Sequence, residues 1–424
     1  MFTCFAHNTH YYSLVPMAWA LRTAGHEVRV LSQPDLTETI NGSGLTAMPV
    51  GTRGWAESDP LAPELFEAIY MDGTRHVQHF DFAGKDRRQW TWQSLLCLEN
   101  VMVAALYASM NSRALVEGAM DIAQSWQPDL VIGETYSFAG ALAARTTGAA
   151  HARQVWGPDN AGRARRAFRE AATKQPVEQS EDPTAEWMNE LLAPYGCQFD
   201  EEILSGQWTI DTTPPSGRLD TGVTTVGIRY VPYNGPAVVS DLLRRPPTRR
   251  RVCLTFGISD RQMGQGVASL SRILETAGTI DAEFVATLDA TQLAGITRIP
   301  DNVHVVDFAP LNELLPTCSA IVHGGGGGTR STAELHGVPQ LILTDGWDSE
   351  LKGDHLETLG AGLALPMSEL TAVNFHDAVV RLLDEPTFTE GATRLRQEVL
   401  AQPTPNDVVP LLEELTAEHR TGTA

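Results

Sequence analysis

A run of five glycines between His323 and Thr329 carries the clearest chemical signal in the sequence. Glycines let backbone N–H groups approach an anion with no Cβ in the way, and the start of a following helix adds partial positive charge. The apolar run at 320–323 predicts a strand that delivers these glycines to the carboxyl end of a parallel sheet, where α/β proteins bind their ligands. We therefore predict a phosphate-binding loop, in which Thr329 caps the helix or donates to the phosphate.

Two common phosphate loops do not match this run. The GxxxxGK[ST] loop needs a lysine after the glycines, whereas Arg330 stands one residue after Thr329. The GxGxxG loop counted from Gly324 places Thr329 at its sixth position. The pattern therefore supports neither a P-loop NTPase nor a dinucleotide oxidoreductase. A flexible glycine linker is disfavoured, because linkers do not join a buried strand to a short capped helix.

Candidate acid–base groups follow two other predicted strands. His10 comes shortly after the apolar run at 1–6, and an imidazole with a pKa near ~6.5 suits removal of a hydroxyl proton near neutral pH. A histidine with a purely structural role is the alternative, and His7 is a rival for the chemistry. Past the apolar run at 341–343, the segment 344–348 carries two carboxylates and Trp347. Asp348 could accept hydrogen bonds from the hydroxyl groups of a sugar, or could cap the helix predicted after it.

Alternating strand and helix patterns must position these groups. In the first half, a helix at 14–24 with Pro16 in its first turn precedes a strand at 27–32, and a second unit follows at 128–146. Similar alternation restarts at 251 and predicts two α/β domains with parallel sheets. Prolines between them indicate a linker. We place the domains at 1–230 and 249–405, the linker at 231–248, and a C-terminal tail at 406–424 that packs back on the first domain. Such domains would face a central cleft.

Composition narrows the class of protein. The formal net charge of −21 argues against a nucleic-acid partner and an anionic membrane surface, since both rest on Lys and Arg. Five scattered cysteines with no CxxC pair predict a reduced, cytoplasmic protein. The start of the chain shows no secretory leader. The apolar-rich stretch at 94–110 is interrupted by Glu99 and Asn100, so we interpret it as a buried or partner-facing helix and not as a membrane span.

Taken in order, these motifs resemble the GT-B glycosyltransferases of family GT1 along nearly the whole chain. More narrowly, they resemble bacterial enzymes that attach deoxysugars from dTDP-sugars to macrolide and other polyketide antibiotics. The matching segments are HYYSLVP at 10–16, RYVPYNGP at 229–236, TFGIS at 255–259, HGGGGGT at 323–329, GVPQLILTDGWD at 337–348 and LGAG at 359–362. The resemblance implies two Rossmann-like domains, an N-terminal one for the acceptor and a C-terminal one for the nucleotide sugar.

The resemblance also implies roles for particular residues. His10 would be the catalytic base, oriented by Glu134 at a position where Asp is commoner; capping of the helix near 137 is the alternative for Glu134. The remaining contacts fall into three groups. The donor diphosphate would meet His323, Gly327, Gly328 and Thr329; the nucleotide would meet Ser259, Phe308, Ala309 and Leu311; the sugar would meet Trp347, Asp348 and Ser349. Ser349 stands where many relatives have Gln.

Two departures surround the glycines. Relatives usually carry two consecutive histidines before them, and counting back from Pro339 places the usual phosphate-contacting position on Gly324. Either the run has one extra glycine, or His323 contacts the phosphate from a shifted position. Arg330 replaces a residue that is often aromatic, so its cation could add charge near the diphosphate or point to solvent.

The resemblance implies inverting transfer of a deoxysugar, with an aminodeoxysugar favoured, from a dTDP-sugar to a hydroxyl of a macrolide or polyketide aglycone. No DxD motif occurs in the chain, so we expect no metal and no other cofactor. Three alternatives remain: transfer to another natural-product aglycone such as an aromatic polyketide or enediyne, epimerisation of a sugar nucleotide, and non-catalytic binding of one.

Partner proteins are expected as well. Transferases of aminodeoxysugars often need an activator related to cytochrome P450 that lacks haem ligation, and the resemblance implies one here. A homodimer is a second expectation. The apolar residues that could form a partner face are Trp90, Trp92, Leu95, Leu96, Val101, Met102 and Leu106. A core helix is the alternative for the same residues.

Overall fold

The computed structural model describes residues 1–54, 72–73, 75–256 and 267–421, which form two compact units. The N-terminal unit contains Met1–Thr213, Arg218–Ile228 and the C-terminal segment from Pro403. The C-terminal unit contains Pro214–Gly217 and Arg229–Gln402. The C-terminal segment is tied to the N-terminal unit by ion pairs of Glu413 with His26 and of Arg420 with Asp129.

The N-terminal unit is built on a parallel sheet of seven strands in the order β3-β2-β1-β4-β5-β6-β7. Phe2 on β1 lies opposite Val30 on β2 and Ile132 on β4, so the strand order reverses beside β1. The strands are β1 Phe2–Thr3, β2 Arg29–Ser32, β3 Thr46–Pro49, β4 Leu130–Glu134, β5 Ala150–Val155, β6 Trp208–Asp211 and β7 Thr225–Gly227. The central strands β4, β5 and β6 are almost completely buried, as expected for parallel strands covered on both faces, whereas the edge strands β3 and β7 are partly exposed.

The C-terminal unit holds a parallel sheet of six strands in the order β10-β9-β8-β11-β12-β13. These strands are β8 Arg251–Thr255, β9 Glu283–Thr287, β10 Val303–Val306, β11 Ala320–His323, β12 Gln340–Thr344 and β13 Gly362–Pro366. The strand order reverses between β8 and β11, the point at which open α/β sheets bind ligands beyond their carboxyl ends. The two parallel sheets confirm the predicted fold class.

Helices connect the strands in both units. Those of the N-terminal unit are α1 Asn8–Thr23, α2 Thr37–Gly42, α3 Trp92–Val101, α4 Ala108–Met110, α5 Arg113–Trp126, α6 Ala139–Thr147, α7 Asn160–Ala172, α8 Pro183–Leu192 and α9 Glu202–Ser205. Those of the C-terminal unit are α10 Val267–Ala277, α11 Ala290–Leu293, α12 Leu311–Leu314, α13 Gly327–His336, α14 Ser349–Thr358, α15 Ala372–Asp384 and α16 Pro386–Ala401. Helix α17, Val409–His419, returns to the N-terminal unit.

Helix α1 begins six residues earlier than its apolar pattern predicts and holds Pro16 in its interior. A proline in the first turn costs little, because its missing N–H would have no partner there, whereas an interior proline removes a helix hydrogen bond. The side chain of Gln154 donates to the carbonyl of Ser13 at 2.7 Å, close to the helix hydrogen bond that Pro16 removes. The prediction that Pro16 lies in the first turn was wrong, and the earlier start brings His10 into that turn.

The apolar stretch around α3 is the one part of the described chain that is long and apolar enough to span a membrane by length and composition. It covers Trp92–Met110, and it is partly buried within the protein. Four of the seven predicted partner-face residues are buried: Trp92, Leu95, Met102 and Leu106. Trp92 and Leu95 lie on α3, which contacts α7 and α8, and Met102 and Leu106 lie on the helical segment Met102–Tyr107, which also contacts α8, so the core interpretation holds for those four.

Candidate active site

His10 and Glu134 meet at the carboxyl edge of the N-terminal sheet. Glu134 is the last residue of β4 and is buried, while His10 lies in the first turn of α1 with 16% of its side chain exposed. Nδ1 of His10 lies 2.9 Å from Oε2 of Glu134. Because a carboxylate only accepts, Nδ1 carries the proton and donates, which leaves Nε2 as the basic nitrogen. Among the described residues, none binds Nε2.

The second oxygen of Glu134 is used for orientation and not for capping α6. Oε1 accepts from the backbone N–H of Tyr136 at 3.1 Å. The carboxylate is therefore held at both oxygens, and its direction towards His10 is fixed. His7, the rival base, is engaged elsewhere, since its Nδ1 lies 2.8 Å from the hydroxyl of Thr9. The structure brings together the predicted base and its predicted orienting residue.

Trp156 is a neighbour of His10 that the sequence analysis missed. It follows β5, and its ring centre lies 5.0 Å from that of His10 in an edge-on arrangement. Phe5 packs against the other side of the imidazole at 4.6 Å. The indole N–H of Trp156 is buried and has no hydrogen-bond partner among the described residues. Only its place at the carboxyl end of a parallel strand could have pointed to it.

In the C-terminal unit, the glycine loop (residues 324–329) forms the start of α13. The helix begins at Gly327 with Gly326 as its N-cap, so it starts within the glycine run. Gly327, Gly328 and Thr329 are therefore the first three helical residues, whose N–H groups lack partners one turn earlier. The first backbone hydrogen bond of the helix runs from the N–H of Arg330 to the carbonyl of Gly326 at 3.0 Å. Three amides and the positive end of a helix dipole thus meet where an anion was predicted.

Two glycines of this loop pack closely against neighbouring side chains, and one of them has a positive φ. Gly325 has a φ of +89°, and a Cβ there would lie 3.1 Å from the Cβ of Ser349. A Cβ on Gly328 would lie 3.3 Å from the hydroxyl of Tyr230, which donates to the carbonyl of Gly328 at 3.4 Å. Tyr230 belongs to the RYVPYNGP segment, so that segment supports the phosphate loop of its own unit.

His323 does not fit the predicted diphosphate contact. Its Nδ1 accepts from the N–H of Gly325 at 3.0 Å, and its Nε2 therefore carries the proton and donates to Oε1 of Gln340 at 2.9 Å. Burial lowers the pKa of His323 to about 4, so the ring is neutral. Both nitrogens are occupied inside the protein, and none is left for a phosphate. This geometry favours the other alternative, a run with one extra glycine that starts the loop at Gly324.

The predicted sugar contacts lie after β12, at the same edge of the sheet as the glycine loop. Asp348 is the N-cap of α14, but its side chain makes no cap hydrogen bond; Oδ1 instead accepts from Lys352 at 2.8 Å. Trp347 has a φ of +50°, unusual for a residue with a side chain. The hydroxyl of Ser349 donates to Gly346 and accepts from the N–H of Asp345, so it stabilises the loop and does not fit the predicted sugar contact.

The predicted nucleotide contacts are only partly described. Phe308 and Ala309 follow β10 at the carboxyl edge of the sheet, with Phe308 47% exposed and Ala309 buried. Leu311 is the first residue of α12. Ser259 lies outside the described residues. The exposed ring of Phe308 suits a contact with a nucleotide base.

Arg330 does not point to solvent. It is buried and forms an ion pair of 2.7 Å with Glu334, one turn further along α13. Nη2 of Arg330 donates to Nδ1 of His355 at 2.8 Å, so His355 is neutral and its pKa is lowered to about 4 by burial and by the Arg330 charge. The guanidinium therefore braces α13 against α14 within the C-terminal unit. Across the described residues, no three His, Cys, Asp or Glu side chains are grouped so as to hold a metal ion.

The comparison with protein families decides the identity of this arrangement. The sequence model described as "Erythromycin biosynthesis protein CIII-like, N-terminal domain" matches residues 19–257, and its C-terminal counterpart matches residues 271–415. The chain belongs to this family. The 10-deoxymethynolide desosaminyltransferase of Streptomyces venezuelae is 50% identical over 424 residues, covering 99% of this chain and 97% of that protein. The 3-alpha-mycarosylerythronolide B desosaminyl transferase of Saccharopolyspora erythraea is 47% identical, covering 99% of both.

Solved structures agree with the family assignment. The glycosyltransferase VinC in complex with dTDP superposes with a TM-score of 0.87 at 35% identity, covering 98% of this chain and 99% of that one. The spinosyn forosaminyltransferase SpnP superposes with a TM-score of 0.79 at 37% identity, covering 98% of both chains. These findings confirm the GT-B fold and the resemblance to family GT1. The protein is a glycosyltransferase of the antibiotic deoxysugar group.

Proposed function

We propose that this glycosyltransferase moves a deoxysugar, with an aminodeoxysugar favoured, from a dTDP-sugar to a hydroxyl of a macrolide aglycone. The observation that carries the chemistry is the His10–Glu134 pair, with Nε2 of His10 unoccupied by any described residue. Relatives support the substrate classes: the S. venezuelae protein is named for desosamine and 10-deoxymethynolide, and one from Streptomyces fradiae is a tylactone mycaminosyltransferase at 45% identity. The VinC structure supports dTDP as the nucleotide.

The proposed reaction uses His10 as the general base. Nε2 takes the proton of the acceptor hydroxyl while the oxygen bonds to the anomeric carbon, and the bond from that carbon to the diphosphate oxygen breaks. Glu134 stabilises the imidazolium that forms, because its carboxylate already accepts from Nδ1. Attack from the face opposite the leaving diphosphate inverts the anomeric carbon.

The proposed reaction needs no metal. The first three amides of α13 and the helix dipole supply positive potential for the departing diphosphate, and donors of this kind are worth several kcal/mol in a transition state, roughly 3. The chain contains no DxD motif of the type that holds a metal in many sugar transferases. Addition of a chelator should therefore leave the rate unchanged.

A transfer assay tests the function. The purified protein is incubated with dTDP-deoxysugars and macrolactones, with and without candidate activators, and products are analysed by mass spectrometry. We expect a mass increase of one sugar for at least one donor–acceptor pair, and a rate of product formation that is at least ~100-fold lower for His10→Ala. Absence of any such increase across a broad panel would contradict the proposal. Interconversion of dTDP-sugars without an acceptor would support an epimerase instead.

We also propose a P450-related activator and a homodimer as partners, and the cytoplasm as the location. Trp90, Leu96 and Val101 remain half-buried and offer part of the predicted partner face. All five cysteines are free, which suits a reducing compartment. Transfer rates with and without the activator test the first proposal, and light scattering of the purified protein tests the second.

A further inference from the structure

Lys352 is a buried cation that lies beneath the glycine loop. It is on the first turns of α14, and only 2% of its side chain is exposed. Lysine is almost never fully buried unless it is paired, because removal of its charge from water is costly. The chain contains two other lysines, Lys85 and Lys174, and Lys174 is exposed. The burial of Lys352 therefore calls for a specific set of partners.

The partners of Lys352 come from two different loops. Nζ donates to the backbone carbonyl of Gly325 at 2.9 Å and to Oδ1 of Asp348 at 2.8 Å. Gly325 belongs to the loop that precedes the helix amides proposed to bind the diphosphate. Asp348 is the carboxylate proposed to bind the sugar. One ammonium group thus joins the two segments that would hold the two halves of the donor.

The ion pair also determines how Asp348 can act. Lys352 occupies Oδ1, while Oδ2 is bound by no described residue and the side chain keeps 15% exposure. The charge of Asp348 is already neutralised by the ammonium at 2.8 Å. Asp348 is therefore suited to accept a hydrogen bond from a sugar hydroxyl through Oδ2, and is poorly suited to serve as the counter-ion of a sugar ammonium.

Contacts around Gly325 make this link rigid. The glycine loop packs so closely on the first residue of α14 that a Cβ on Gly325 would lie 3.1 Å from Ser349 Cβ and 3.2 Å from Ile342. On the other side of Lys352, a Cβ on Gly353 would lie 2.6 Å from the Cβ of Ala364 on β13. The backbone on both sides of this contact is therefore closely packed, and the 2% exposed side chain of Lys352 lies between the two loops that its ammonium binds.

We propose that Lys352 is a positioning residue that holds Asp348 in register with the glycine loop, so that the enzyme binds a dTDP-sugar through a sugar hydroxyl and not through the diphosphate alone. This inference rests on the proposed function, because it concerns the donor of that reaction. Lys352 does not contact the reacting atoms. It acts by fixing the Asp348 carboxylate relative to the amides of α13.

Binding measurements on the full chain test this role without any acceptor. The affinities of dTDP and of dTDP-glucose are measured by titration calorimetry for the wild type, Lys352→Met and Lys352→Arg. We expect both affinities to fall in Lys352→Met, with that of dTDP-glucose falling ~10-fold more than that of dTDP, as expected for one charge-assisted hydrogen bond. Lys352→Arg should recover part of that preference, because it keeps the charge. Lys174→Met, a matched change at an exposed lysine, should leave both affinities unchanged.

A double variant separates positioning from folding. Lys352→Met leaves a partly buried Asp348 without its counter-charge and should lower Tm, whereas Asp348→Asn/Lys352→Met removes that charge and should recover most of the Tm. The double variant should nevertheless keep the loss of preference for dTDP-glucose. Recovery of that preference together with Tm, or an equal loss of both affinities in Lys352→Met, would overturn the proposal. Absence of glycosyl transfer in the panel assay would overturn the proposed function and leave this binding result standing.

Discussion

The imidazole of His10 and the carboxylate of Glu134 depend on each other, and their substitutions should differ in size. His10→Ala removes the base and should lower kcat ~100- to 10,000-fold, the usual contribution of general base catalysis. Glu134→Gln keeps the shape but loses the charge that orients Nδ1–H, so kcat should fall ~10- to 1,000-fold with little change in KM for the donor. Initial rates at saturating substrate concentrations measure kcat for both variants, and rates at varied donor concentration measure KM for the donor.

His7→Ala is the matched control for that pair, since His7 is a neighbouring histidine engaged with Thr9. We expect it to retain most of the wild-type kcat. A loss in His7→Ala as large as that in His10→Ala would contradict the assignment of the base. If Glu134→Gln lowers Tm so far that loss of folded protein accounts for its whole loss of kcat, Glu134 only maintains the fold.

At the scale of single residues, the sequence predicts which side chains can take part in chemistry better than it predicts where those side chains point. The pairing of His10 with Glu134 followed from two strands whose carboxyl ends meet at one sheet edge, with the resemblance choosing the residues. His323 also ends a strand, but its ring turns back to Gln340 within the sheet. No pattern of residue types distinguishes a side chain that leaves a strand end from one that turns back, because both depend on packing. Lys352 was missed for the same reason: its burial is visible only when α14 is packed on the glycine loop.

The glycine loop and α13 act as one element, so a change in the loop should reach the ligand. Gly325→Ala forces a side chain onto a φ of +89° and against Ser349, which strains the loop that α13 starts from. We expect dTDP affinity to fall at least ~10-fold, about the loss of one good hydrogen bond. Titration calorimetry with dTDP measures the effect.

Gly196→Ala provides the matched control for backbone strain alone. Gly196 also has a positive φ, of +68°, but a Cβ there would meet no atom within 4 Å. It lies in the N-terminal unit, outside the segments proposed to bind the donor. We expect a small loss of Tm and an unchanged dTDP affinity. Equal effects of the two substitutions on dTDP binding would contradict the proposed role of the glycine loop.

Among the elements, strand positions were predicted more closely than helix starts. The alternation that restarts at 251 begins with β8, and the run predicted at 320–323 corresponds to β11, because strands buried on both faces are rich in apolar residues. Helix α13 starts within the glycines and α1 starts before its apolar stripe. Both starts lack a side-chain cap hydrogen bond, so the usual residue signal for a helix N-terminus is missing from the sequence.

At the scale of the whole molecule, arginine far outnumbers lysine, and arginine side chains bind carboxylates inside the protein. The segment at 163–187 is highly charged, a pattern that is typical of an exposed helix and loop. Arg165 within α7 is instead buried, and it binds Glu99, Asp182 and Glu201 at 2.6 to 3.2 Å. A planar guanidinium can satisfy several carboxylates at once, so a charged pattern does not by itself indicate exposure. Burial raises the pKa of Glu99, and the Arg165 charge counteracts that effect.

Buried neutral histidines in both units should make the folded protein sensitive to mild acid. Burial lowers the pKa of His151 in the N-terminal unit and of His323 in the C-terminal unit, each to about 4 from 6.5. Between those values the unfolded chain binds protons that the folded chain does not, so stability is full above pH 6.5 and is lost as pH falls towards 4, by roughly 3 kcal/mol for each histidine.

Tm measured from pH 7.5 to 4.5 should therefore fall, and His151→Gln should flatten the decline. His79→Gln, at an exposed histidine, is the control and should leave the slope of Tm against pH unchanged. An unaltered slope in His151→Gln would show that His151 is not the group whose protonation opposes folding in the N-terminal unit.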